Sequence, residues 1–375
     1  MQRSNEILIV GAGFAGAVMA QQLAAAGCKV RVIDQREHVG GNAYDYYNEH
    51  GVLVHPYGPH IFHTNSDAVF NYLSRFTEWR FYEHRVKAYV NDELYPFPIN
   101  RQTINQLYKV DLTEAGVAEF LEQVRSPQAK LETSEDVVLN AVGEKLCDTF
   151  FRGYTQKQWG RGLAQLASSV VSRIPVRTND DDRYFTDTYQ FMPAAGYHVL
   201  FQHLLEHPNI TVELGTSFQD LRRQAELKQF QFRHIVFTGP IDEYFQYCFG
   251  KLPYRSLLFH QIMLEDIELS QAVGTINYPN KYDYTRITEF KHLTGQQCKG
   301  TALIYEYPTD RGPPYYPVPC VQNEALYQQY KELAKQETDV TFVGRLAQYR
   351  YYNMDQVVAA ALNKSSMLLE AGIHL

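Results

Sequence analysis

Short apolar runs alternate with helically spaced ones along this chain. Residues 7–10 form an apolar run short enough for a buried strand, and residues 17–25 carry helical spacing. A second apolar run at 30–33 ends in Asp34. Residues 52–55 and two runs within 79–98 predict further strands. From 101 to 170 the period turns helical, over 103–108, 113–124, 134–142 and 146–158, with Thr113 and Ser134 as expected N-caps. The α/β alternation returns with a helix over 196–206 and strands at 210–212 and 234–238. Runs at 256–264, 272–278, 284–291 and 301–307 have the spacing of an antiparallel sheet. A strand at 339–344 and an amphipathic helix over 354–370, capped by Asn353, close the pattern.

The gap between the first strand and the first helix reads Gly11-Ala12-Gly13-Phe14-Ala15-Gly16. Set between strand and helix, with a second strand ending in an acid, this is the fingerprint of a dinucleotide-binding unit. Gly11 permits the tight turn, Gly13 lets a pyrophosphate approach the backbone, and Gly16 lets the helix pack on the strand. The residues from Phe14 and Ala15 onward offer the unpaired N–H groups of a helix N-terminus. Asp34, followed by Gln35, stands where an acid accepts hydrogen bonds from a ribose. Gly40-Gly41-Asn42 comes next, and this pair resembles the extended fingerprint of FAD-binding proteins of the glutathione-reductase type. FAD is therefore expected over NAD.

The expected fold class is α/β: a Rossmann-like FAD-binding domain with an inserted helical domain and an antiparallel β-sheet domain. The discontinuous FAD-binding domain takes 1–78, 190–250 and 335–375. The helical domain takes 101–170 and carries a mobile loop, 171–185. The sheet domain takes 79–100 and 251–334. The loop is polar and proline-interrupted, and its Arg173 and Arg177 are candidates for closing over an anion.

Composition narrows the picture. With 45% hydrophobic and 21% charged residues the chain is an ordinary folded protein, and a net charge of −7 argues against a general nucleic-acid partner. Five scattered cysteines without a C-x-x-C pair fit a reducing, cytoplasmic setting. The apolar stretch from Ile7 to Ala26 is broken by Gly11, Gly13, Gly16, Gln21 and Gln22, so no membrane span is expected. His60 and His63 are three apart, but no third ligand sits at matching spacing, so no metal is expected. The 28 tyrosines suit nucleotides, sugars and flavin rings as well as sheet packing. One dinucleotide fingerprint, with no G-x-S-x-G, P-loop or H-E-x-x-H, leaves the chemistry to a flavin. The same fingerprints fit a flavin-dependent oxidase or dehydrogenase of the amine-oxidase kind.

Seven segments in order carry a more specific resemblance: residues 58–64 (GPHIFHT), 153–160 (GYTQKQWG), 172–177 (SRIPVR), 238–242 (TGPID), 284–286 (YTR), 314–318 (PYYPV) and 344–347 (GRLA). Together they resemble the bacterial UDP-galactopyranose mutase family over nearly the whole chain. The resemblance implies an isomerase that interconverts UDP-galactopyranose and UDP-galactofuranose without net redox change. In that family the N5 atom of reduced FAD attacks the anomeric carbon and UDP leaves and returns. It further implies an external electron donor such as NAD(P)H, a homodimer, and a role in making surface polysaccharide. Arg173 and Arg286 match the family's diphosphate-holding pair, and two guanidiniums suit a diphosphate leaving group. Tyr184, Tyr316 and Tyr351 match phosphate-binding tyrosines. Phe150, Phe151, Tyr154, Thr155 and Trp159 match the uridine wall, and Asn277 and His84 match cleft positions. His60 and Ile61 match the loop against the flavin ring, with His60 a catalytic candidate. Phe218 matches a residue near the adenosine. Arg345 and the stretch Met354, Asp355, Gln356, Val357, Val358 and Ala359 match flavin contacts at the start of the last helix. The family's Tyr-Tyr-Asp-Met appears here as Tyr351-Tyr352-Asn353-Met354, so an acid is replaced by a neutral amide.

Overall fold

The computed structural model describes residues 6–228 and 232–373. Its first sheet has five parallel strands in the order Ile210–Glu213, Lys29–Ile33, Glu6–Val10, His234–Phe237, Val340–Phe342. Parallel sheets are covered on both faces, which explains the unbroken apolar run of the central strand. Its residues alternate between two cores. Ile7 and Ile9 face the helices Phe14–Ala25 and Met354–Glu370, while Leu8 and Val10 face Phe237 and Tyr244. Phe218, just past the edge strand, begins the helix Phe218–Lys228.

The second sheet has seven strands in the order Tyr316–Pro317, Tyr254–Leu264, Thr301–Thr309, Arg286–Glu289, Thr275–Asn277, Val86–Val90, Glu93–Phe97. Every neighbouring pair is antiparallel except Thr275–Asn277 with Val86–Val90. A parallel pair needs a long crossover, and the chain between residues 98 and 274 supplies it, running through the helical segment and then through strands of two other sheets. The strand Trp79–Phe81 does not join this sheet, although the sequence pattern groups it with the strands that follow. It pairs with Tyr189–Pro193 in a three-stranded sheet that also holds Phe62–Thr64. Stacking explains this: the Trp79 ring lies 4.8 Å from Phe62 and 5.8 Å from Phe70.

The helices Arg101–Tyr108, Glu114–Val124, Ser134–Cys147 and Gly153–Trp159 form the inserted segment, with a π-turn at Asp148–Arg152. Thr113 caps its helix as expected, accepting from Gly116 N–H at 3.2 Å. Thr133, not Ser134, caps the next one. Thr133 and Asp136 satisfy each other's backbone N–H groups, and Ser134 Oγ donates to Ala167 O instead. Gly143, at φ +75°, breaks this helix where a Cβ would lie 1.9 Å from Val124 O.

The helix Val321–Ala334 lies in a stretch expected to belong to the sheet. Tyr327 and Tyr330 bury against Ile241, Leu252 and Tyr349, and Leu326 and Ala334 border the same cluster. Among the described residues no helix is long and apolar enough to cross a membrane.

Candidate functional site

Two clefts meet inside the molecule. The first runs along the carboxyl ends of the parallel strands, where ligands of open α/β sheets bind. Gly11, at φ +102°, turns the chain where a Cβ would lie 2.1 Å from Thr238 Oγ1. Gly16 packs so closely that a Cβ would lie 1.8 Å from Gly11 O. Gly16 therefore sets helix against strand rather than lining the cleft. Gly13 and Gly41 bring two bare backbones together, with the Gly13 Cα 3.1 Å from an added Gly41 Cβ. Gly11, Gly13, Phe14, Ala15, Asp34, Gln35, Gly41, Asn42 and Phe218 all line this cleft. The Phe14 ring itself turns inward, 4.6 Å from Phe201, so backbone is what Phe14 offers. Asp34 accepts from Ala12 N–H at 2.8 Å and Arg36 N–H at 2.9 Å, one bond to each oxygen. Each oxygen keeps a second lone pair for a ribose hydroxyl.

The second cleft encloses about 500 Å³ between the helical segment and the seven-stranded sheet. It gathers His84, Phe150, Phe151, Tyr154, Thr155, Trp159, Arg173, Tyr184, Asn277, Arg286, Tyr316 and Tyr351, with Ile61 beside them. These positions span residues 61 to 351, so the fold, not the local sequence, brings them together. Asn277 and Arg286 are register partners on adjacent strands. Tyr351 stands edge-to-face to Trp159 and to Tyr316, 5.3 Å from each, while Trp159 and Tyr316 are tilted to each other at 6.2 Å. The Arg173 guanidinium lies 4.2 Å from the centre of the Tyr351 ring, and its Nη1 donates to Asn353 Oδ1 at 3.1 Å. Burial opposes ionisation of Tyr351, but Arg173, Arg345 and Arg286 outweigh it and hold its pKa below the usual tyrosine value. The result is a positive, aromatic-walled pocket with hydroxyl groups close to the cations.

Arg286 has a partner the sequence reading missed. Glu306, its register partner on the next strand, is 1% exposed and meets Arg286 Nε at 2.9 Å. Burial raises the Glu306 pKa above the usual carboxylate value, and Arg286 offsets only part of the rise. The available signal was an acid amid the apolar run of a central strand. Arg177 behaves differently from Arg173. Its Nη1 donates to the carbonyls of Asp181 and Arg183, so it knits the loop and does not face the cleft. Arg101 and Asp180 fasten the same loop from outside.

His60, Arg345 and Met354 line both clefts and form their common wall. Burial lowers the His60 pKa to about 3, so the ring is neutral. Its Nδ1–H donates to Gly58 O at 2.9 Å, leaving Nε2 as an acceptor. Burial likewise lowers His84 to about 3. Arg345 Nη2 donates to Tyr352 O at 2.7 Å. In the last helix Met354 and Val357 reach the first cleft. Val358 is buried in the core, Gln356 and Ala359 are exposed, and Asp355 accepts from Thr64 Oγ1 at 3.0 Å. The side chains of those four residues therefore do not line either cleft. Gln356 Oε1 accepts from Asn353 N–H at 2.9 Å and fixes the helix start.

Comparison with known proteins narrows what such clefts hold. The family described as UDP-galactopyranose mutase matches residues 149–351, and a NAD(P)-binding Rossmann-like domain matches residues 9–76. The chain is 39% identical to a dTDP-fucopyranose mutase of Escherichia coli, over 98% of this chain and 99% of that one. It is 38% identical to a probable UDP-galactopyranose mutase of Klebsiella pneumoniae, over 98% and 96%. In fold it is similar to a reduced UDP-galactopyranose mutase with a TM-score of 0.77 at 15% identity, covering 99% of this chain and 95% of that one. A putrescine oxidase shares the fold with a TM-score of 0.57 at 11% identity, covering 98% and 99%.

Proposed function

The chain belongs to the UDP-galactopyranose mutase family, and from that premise we propose that it interconverts UDP-galactopyranose and UDP-galactofuranose with FAD as its cofactor. Membership implies a flavin and a nucleotide-sugar substrate, and it sets aside the oxidase reading that the fold alone would allow. The paired glycine backbones, the open helix N-terminus and Asp34 fit a dinucleotide. Gly13, Gly41, Asp34 and Phe218 would hold its nucleotide half, and His60, Arg345 and Met354 the ring. Bound and reduced, the flavin supplies a nucleophile for the anomeric carbon.

The observation that carries the reading is the aromatic cleft with Arg173 and Arg286 in its wall, joined to the dinucleotide cleft at His60. Phe151, Tyr154 and Trp159 form the surface for the base. The two guanidiniums, with Tyr184, Tyr316 and Tyr351, hold the diphosphate while the glycosidic bond breaks and keep it in place for its return. Neutral His60 leaves its Nε2 as an acceptor for a sugar hydroxyl. The loop carrying Arg173 covers the cleft and excludes water. Electrons come from an external donor such as NAD(P)H.

A second substrate pair follows from the Escherichia coli relative, which matches as closely as the galactose enzyme: dTDP-fucopyranose and its furanose. The test is one assay of the purified flavoprotein with UDP-galactofuranose and with dTDP-fucofuranose, each with and without dithionite. Conversion of the galactose substrate only under reduction supports the reading. Conversion of the fucose substrate alone moves it to the second pair. No conversion of either by intact reduced holoprotein overturns it.

A further inference from the structure

Lys157 does not line either cleft, yet four main-chain carbonyls converge on its ammonium. It donates to Tyr278 O, to Tyr282 O and Tyr284 O at 3.1 Å each, and to Lys281 O at 3.5 Å. All four acceptors lie in the turn joining the strands Thr275–Asn277 and Arg286–Glu289. Those strands carry Asn277 and Arg286. Lys157 sits on the helix Gly153–Trp159, which carries Tyr154, Thr155 and Trp159. Its side chain is thus a tie between the aromatic wall of the substrate cleft and the strand that holds one of its cations.

Other contacts seat helix and turn against each other but leave the carbonyls unmet. Gly153 meets the turn so closely that a Cβ would lie 2.6 Å from Pro279 O. Thr285 Oγ1 donates to Gln158 Oε1 at 3.2 Å, and Asn280 Nδ2 donates to Thr149 O at 2.9 Å. Carbonyls that point together repel one another unless a donor or cation lies among them. An ammonium offers three donors and a charge on a long stem, which this geometry uses fully. Burial draws the Lys157 pKa down to about 8, opposed by Asp283, so the amine keeps its charge at neutral pH.

We propose that Lys157 is a positioning residue that fixes the Arg286 strand against the base-stacking helix, and so sets how well the cleft holds a nucleoside diphosphate. Without the ammonium the turn reopens and the guanidinium loses its place relative to the aromatic wall. Flavin binding, on the far side of His60, is unaffected. The inference rests on the substrate reading above, but its test does not need turnover.

Calorimetry with UDP and with dTDP on the holoprotein is the direct experiment. Lys157→Ala is expected to weaken diphosphate binding by about tenfold or more. Flavin content and visible spectrum are expected to match those of the unchanged protein. Adding ammonium or methylammonium chloride is expected to restore binding, because the small cation enters the vacated carbonyl cage. Sodium chloride at the same ionic strength, and ammonium added to Lys157→Met, are expected to restore nothing. If Lys157→Ala does not fold, Lys157→Gln takes its place, with two amide donors and an intermediate loss of affinity. Binding within twofold of the unchanged protein in the folded variant would overturn the proposal, as would equal rescue by sodium. Unchanged protein that binds UDP or dTDP but converts no sugar nucleotide refutes the proposed function and leaves the Lys157 comparison readable.

Discussion

The two clefts are built on opposite plans. At its glycine-rich end the dinucleotide cleft is made largely of backbone from one short stretch, Gly11 to Ala15 and Gly40 to Asn42 with Asp34 between them, and residues 216–219, 237–240, 313–315 and 344–346 add to its lining. The substrate cleft is made of side chains from many separate stretches, among them residues 84, 150–159, 173, 184, 277, 286, 316 and 351. A backbone site depends on the absence of Cβ atoms, so almost any enlargement of a critical glycine destroys it. A side-chain site tolerates single losses and answers them in affinity and rate.

Gly16→Val should give the largest effect, because its Cβ would lie 1.8 Å from Gly11 O. Soluble protein with bound flavin is expected to vanish, as read by the flavin absorbance of the purified fraction. Arg286→Ala should instead yield a yellow, folded protein whose kcat/KM is down by about 10²–10³-fold. Loss of flavin in this variant would break the contrast between the plans. Glu306→Gln should leave the Arg286 charge buried without its partner and cost about 3 kcal/mol of stability. Denaturant melts are expected to recover part of that loss when UDP is present, since a diphosphate replaces the missing anion.

Asn353→Asp should be milder. A carboxylate would grip Arg173 more firmly than the amide now 3.1 Å away and would compete with the diphosphate. KM is expected to rise by about three- to tenfold with kcat little changed. An unchanged protein that is essentially inactive, restored by this substitution, would sink the view that the amide suffices. The smallest effect is one of pH. His60 and His84 have pKa values lowered from 6.5 to about 3 by burial, so the unfolded chain binds protons first as pH falls. Their contribution to stability is complete above about pH 6.5 and is lost between there and about pH 3. The melting temperature should decline over that window, and His84→Asn should flatten the decline.

The contrast also explains what could be read from the sequence. Glycines, a helix start and a terminal acid lie near one another in the chain, so the glycine-rich end of the dinucleotide cleft is legible from spacing alone, while His60, Phe218, Arg345 and Met354 on its other walls are implied only by family resemblance. The substrate cleft is not legible from spacing, because no spacing relates Arg173 to Arg286 or Tyr351. Its residues came to notice through family resemblance. Register partners escaped entirely: Glu306 opposite Arg286 is visible only once the strands are paired. The Lys157 cage lay hidden for a related reason, since its acceptors are carbonyls, which any sequence supplies. The helix Val321–Ala334 went unread because it follows the proline-rich stretch 313–319 and buries tyrosines, residues that favour strands. Arg177, a neighbour of Arg173 in sequence, turned out to be internal scaffolding of the loop.

His60, Arg345 and Met354 belong to both clefts, and this joint ownership has a cost for evolution and for experiment alike. A change at any of the three is pleiotropic, reshaping both clefts at once. Substrate preference can drift freely only at positions that own a single cleft, such as His84 or Asn277. Lineages of this fold should therefore diversify from the rim of the second cleft inward and keep the party wall still.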